Sequence, residues 1–209
     1  MSQPLPQLPK PEFALIRIVA PPEAPAQIAI DLDEIGVPVG LIGYEYRPLS
    51  EPVFLGGIGE RGLVAIATSG LFGRIAVDVA TGHVVQIPEI ESARARHVNS
   101  DLGSFNQCVA AVIARFPFYA DGDEDGYEEV AEELRDLISS IDETALADSG
   151  FWETFCDDVA IGDFGMCDPT AIAASDHPSS LRSVSASQPS TMFGWSWICL
   201  SLCFTSRAI

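Results

Sequence analysis

Basic side chains are scarce in this sequence of 209 residues, with 11 Lys and Arg against 30 Asp and Glu. Between Asp121 and Asp168 a single cation, Arg135, stands among 17 acidic residues, and that segment carries −16 of the chain's net −19 at pH 7. A field of this sign repels phosphate backbones and anionic headgroups, so direct binding to nucleic acid or to a membrane is disfavoured. Arg94 and Arg96 are too few to make a nucleic-acid site. Cysteines at 108, 156, 167, 199 and 203 form no CxxC pair and no Cys/His ligand spacing. Their odd number leaves at least one thiol unpaired within the chain, and free, mostly buried thiols are expected. The glycines at 56, 57, 59 and 62 are not followed by the Lys-Ser or Lys-Thr of a phosphate loop and read as turns. His83, His97 and His177 sit beside no nucleophile motif. The adjacent Asp157 and Asp158 diverge by about 100° on a helix and cannot converge on one substrate atom. These absences point to a protein that is not an enzyme and that uses no cofactor. There is also no N-terminal basic segment followed by an apolar run, which gives the expectation of a cytoplasmic protein.

What is present suits one globular domain with flanking tails, because 47% of the residues are hydrophobic and about 140 residues can bury a sizeable core. Residues 1–12 repeat proline too often for a helix or a central strand and read as an extended leader. The domain is expected over 13–165. Beyond it, 166–209 turns serine-rich and then apolar, and reads as a disordered tail, added or out of frame. Its apolar end, Met192 to Phe204, is too short for the roughly 20 residues that span a bilayer.

Within the domain, FALIRIVA suggests a first strand, PPEAPAQIAIDLDEIGVP a loop and a short element, and VFLGGIGERGLVAIATSG two short strands about glycine turns. Ile75 and Val77 alternate with Ala76 and Asp78, and Val84, Val85 and Ile87 resume beyond Thr81-Gly82, which predicts a hairpin. The candidate caps Asn99, Ser100 and Asp101 precede Leu102, Phe105, Val109, Val112, Ile113 and Phe116, spaced as an amphipathic helix that Pro117 stops. Val130, Leu134, Leu137, Ile138 and Ile141 form a second stripe, leaving Glu128, Glu129, Glu132, Glu133 and Asp136 outward. Phe151, Trp152, Phe155 and Val159 form a third, ended by Gly162, and Trp152 is read as core.

Four motifs run in order: GxPxG at 36–40, FGxIAVDxxTGxVV at 72–85, VNSxLxxFxxC at 98–108 and FWxxxxDDxxIGxF at 151–164. Together they resemble the SUKH superfamily, most closely its fourth branch, over roughly Ile28 to Phe164. The resemblance implies an α+β fold, a mostly antiparallel sheet flanked by helices. Members are largely bacterial immunity proteins, so it also implies a chain that binds and neutralises a cognate toxin, often a nuclease or a nucleic-acid deaminase. No catalytic residue comes with it. Eukaryotic relatives linked to cell-wall regulation leave a scaffold or regulatory module as the alternative.

Charge alone divides evenly between a solvated acidic face and a surface for a basic partner, and the resemblance favours the partner. The contact residues expected are Asp121, Asp123, Asp125, Glu128 and Glu129. A further pattern crosses the same stretch: Asp121, Asp123, Asp125, Gly126 and Glu132 match the spacing of a calcium-binding EF-hand loop. Against calcium stand Glu128 at the eighth position, where paired loops place an apolar residue, Pro117 before the loop, and the want of a second loop. No metal site is therefore expected, and a calcium-responsive protein ranks third.

Overall fold

Hairpin geometry is fixed locally by Asp78. A computed structural model describes residues 11–39, 46–70, 73–88, 94–119, 126–147 and 150–164. In it, strands β5 (Gly73–Asp78) and β6 (Val84–Pro88) pair antiparallel with Ala76 opposite Val85. Asp78 Oδ1 accepts hydrogen bonds from the backbone N–H groups of Ala80, at 2.7 Å, and Thr81, at 3.3 Å. This Asx turn brings the chain round to Gly82, whose φ of +78° lies in the left-handed region open to glycine.

The hairpin is the middle of a five-stranded antiparallel meander ordered β3-β4-β5-β6-β7, with β3 Arg47–Leu55, β4 Leu63–Ser69 and β7 Arg96–Asn99. The glycine-rich stretch 56–62 turns β3 into β4, as expected. Because side chains alternate across a strand, Val64, Ile75, Val77, Val84 and Val98 point into the main core, while Leu63, Ala65, Ala76, Val85 and Ile87 form a smaller apolar cluster. The first strand, β1 (Ala14–Ile16), is shorter than FALIRIVA suggested and lies outside the meander, pairing with β2 (Val37–Val39) in a sheet of its own. Between them the expected loop and short element resolve into a nine-residue helix, α1 (Ala26–Glu34), which buries Ile28 and Leu32.

The three predicted helices are α2 (Leu102–Arg115), α3 (Tyr127–Ile141) and α4 (Phe151–Ala160). Asp101 is the cap that starts α2: its carboxylate accepts from the Ser104 N–H at 2.7 Å while Ser104 Oγ accepts from the Asp101 N–H at 3.3 Å. Gly162, with φ +82°, ends α4, its N–H bonding back to the Val159 carbonyl at 3.0 Å. The buried apolar residues of all four helices join the main core. The result is an α+β domain with antiparallel sheets flanked by helices. Residues 1–10 of the leader and all of 166–209 lie outside the described residues, as do Asp121, Asp123 and Asp125.

Candidate partner-binding surface

Helix α3 meets water on one side and the core on the other. Ala131, Leu134 and Ile138 are buried, Val130, Leu137 and Ile141 are half-buried, and Glu128, Glu129, Glu132, Glu133 and Asp136 are all exposed. Glu128 and Glu129 occupy the first turn, where the helix dipole favours anionic side chains. The structure divides this acidic row in two. Glu133 pairs with Arg115 of α2, at 3.1 Å to its Nε. Arg135 is a three-way clamp, reaching Glu132 at 2.7 Å and, on α4, Glu153 at 3.2 Å and Asp157 at 2.6 Å. Glu128, Glu129 and Asp136, by contrast, form no ion pair and their side chains accept no hydrogen bond among the described residues. They are free to meet cations from outside.

A buried polar brace anchors the far end of this helix. Asp142, 6% exposed, follows the last residue of α3. Its Oδ2 accepts from the Ser100 N–H at 2.7 Å, Asn99 Nδ2 at 3.0 Å and Ser104 Oγ at 3.2 Å, and its Oδ1 from the Thr144 hydroxyl at 2.6 Å and N–H at 3.0 Å. Burial alone would raise the pKa of this carboxyl, but the hydrogen bonds from Thr144, Ser100 and Asn99 outweigh it and hold the group well below the usual carboxylate range. Asn99 completes the brace by accepting from Trp152 Nε1 at 2.8 Å. Trp152 is fully buried, as expected of a core residue, and packs edge-to-face on Phe151 and Phe155. One hydrogen-bonded chain thus ties the end of β7, the start of α2, the end of α3 and the start of α4.

Asn99 was expected as a helix cap and is instead the centre of this brace; Asp142 carried no sequence signal that set it apart from its acidic neighbours. The histidines also meet: His83 and His97 stack edge-to-face at 5.3 Å, and His97 Nε2 pairs with Thr144 Oγ1 at 2.7 Å. Cys108 and Cys156 are free and buried, and burial pushes both thiols up to about 12, so they stay neutral. Of the five expected contact residues, Glu128 and Glu129 share the exposed first turn of α3, and the other three fall outside the described residues. Among the described residues no group of three His, Cys, Asp or Glu is placed to hold a metal ion, and no helix is long and apolar enough to cross a membrane.

Fold and surface together define an α+β domain that presents an acidic helix face, part of it without ion pairs among the described residues. Residues 59–158 match the family model described as the SUKH-4 immunity protein. Over that stretch, just under half of its length, the chain is similar to the SUKH-4 immunity proteins. No curated protein and no solved structure matches the chain.

Proposed function

We propose that this chain neutralises a basic toxin domain, a nuclease or a nucleic-acid deaminase, in the cytoplasm by stoichiometric occlusion of the surface that holds the toxin's substrate. The observation that carries this reading is the row of exposed carboxylates on α3 that lack ion-pair partners among the described residues, Glu128, Glu129 and Asp136. An enzyme that handles nucleic acid must present basic side chains to phosphate. An anionic surface competes for those side chains, and long-range attraction speeds the encounter. Asp121, Asp123, Asp125, Glu128 and Glu129 are the contacts proposed. The same negative field argues against nucleic acid and membranes as partners.

The test is co-expression with the toxin domain encoded beside this chain, scored by survival and by co-purification. Rescue together with a one-to-one complex is the expected result. Absence of both, with each protein folded, would replace this reading with that of a scaffold or regulatory module.

A further inference from the structure

At the opposite end of α3 from Glu128 and Glu129, α1, the β5–β6 turn and the first turn of α2 converge on a cleft of about 330 Å³. Asp142 marks that end by its bond to Ser100, a cleft-lining residue. The two acidic residues therefore lie roughly 20 Å further along the helix axis, at 1.5 Å per residue. The cleft is chemically two-toned. Leu32, Val77 and Leu102, all buried, give it an apolar lining, whereas Asp31 and Asp101 bring two carboxylates and Ile35 an exposed apolar edge. No Lys, Arg or His is among its lining residues.

Both carboxylates are held in place from within. Gln27 Nε2 donates to Asp31 Oδ1 at 2.9 Å, and the Ser104 N–H donates to Asp101 Oδ1 at 2.7 Å. Oδ2 of each accepts no hydrogen bond among the described residues, so each keeps an oxygen for an external donor. Asp101 also offsets the partial positive charge at the start of α2, which keeps the cleft negative.

We propose that this cleft receives one long basic side chain, an arginine or a lysine, projected by the cognate toxin. The proposal rests on the immunity function stated above and adds a second contact, separate from the α3 face. An acidic or phosphorylated group would be repelled by both carboxylates. A purely apolar side chain would cover them and strip their water without supplying a partner, a costly outcome. A long basic side chain satisfies both halves of the site: its aliphatic stem lies along Leu32, Val77 and Leu102, and its head reaches Asp31 and Asp101. Anchors of this kind, seated in pockets, carry a disproportionate share of the energy of an interface.

Full-length chain carrying Asp31→Asn and Asp101→Asn tests the site. Asparagine keeps the shape, the oxygen that Gln27 binds and the ability to cap α2, and removes only the charge. Against the purified toxin domain encoded beside this chain, surface plasmon resonance should show dissociation faster by roughly 10- to 100-fold. Ile35→Arg, which puts a competing cation at an exposed edge of the cleft, should act in the same direction, and it carries the test if the double variant melts early. Amide exchange at Ser100–Gly103 should slow in the wild-type complex. Wild-type binding with unchanged dissociation of Ile35→Arg and of the folded double variant would overturn the cleft while leaving immunity intact. Failure of the wild-type chain to bind the toxin would overturn both.

Discussion

Replacing Asp142 by asparagine tests whether the buried brace stabilises the fold through its charge. Five donors converge on the two carboxylate oxygens, two of them backbone N–H groups. An asparagine presents one acceptor oxygen and one amide. If the amide takes the place of Oδ2, the Ser100 N–H and Asn99 Nδ2 lose their acceptor; if it takes the place of Oδ1, the Thr144 N–H does. Hydroxyls can rotate to accept, but N–H groups cannot. Each donor left buried and unpaired costs about 1–3 kcal/mol, and the bonds that survive lose their charge assistance, so Asp142→Asn should destabilise by about 2–5 kcal/mol. For a chain of this size that is a fall of roughly 6–15 °C in Tm.

The pH dependence gives the sharper check. Aspartate in the unfolded chain titrates near pH 3.9, while Asp142 in the fold, held well below that by its donors, remains ionised. The stabilisation is therefore fully present above that pH and is lost as pH falls towards the folded pKa, because the unfolded chain takes up a proton that the folded chain refuses. The gap between wild type and Asp142→Asn should narrow by up to about 1.4 kcal/mol per pH unit below pH ~4. Taking the difference between the two proteins cancels the titration of the other acidic residues. Urea denaturation at pH 7 and pH 3 measures the gap; a value below about 1 kcal/mol at neutral pH, or the same value at both, would refute the role assigned to the carboxylate.

Trp152→Phe removes the donor that satisfies Asn99 Oδ1 and shrinks a fully buried side chain; a loss of about 2–4 kcal/mol in denaturant titration is expected, and a loss below about 1 would count against the brace. Asp158 is pushed up to about 6 by burial and by the nearby charges of Asp163 and Asp157. Its ionised form therefore opposes folding above that pH, so Asp158→Asn should raise Tm at pH 7.5 and lose its advantage below about pH 4, where the carboxyl is protonated in both states; equal gains at both would reject the assignment. Glu128→Lys with Glu129→Lys should slow association with the toxin several-fold to roughly tenfold at low salt and flatten its salt dependence. Unchanged kinetics would remove these two residues from the contact surface.

Much of the fold is legible along the chain because its causes are local. The β5–β6 hairpin follows from alternation on either side of Thr81-Gly82, and α2 from its cap and apolar spacing. The acidic face of α3 follows from a stripe that leaves five carboxylates outward. Where the reading fell short, competing local signals were at work. Three prolines and a glutamate ahead of α1 look like loop, and the helix forms because Ile28 and Leu32 reach the core.

Periodicity and charge thus determined which helices and hairpin form and which faces are wet, and the order of four motifs carried the family resemblance. They could not determine which of many carboxylates matter individually. Asp142 and Glu143 are neighbours of the same charge, yet one is buried beneath five donors and the other is exposed. Asn99 and Trp152 stand 53 positions apart and meet through one hydrogen bond. The Asp31–Asp101 cleft joins residues 70 apart in sequence across two helices and a turn. Such groupings exist only once the layers have packed, because hydrogen bonding and desolvation act over a few ångströms in space whatever the distance along the chain.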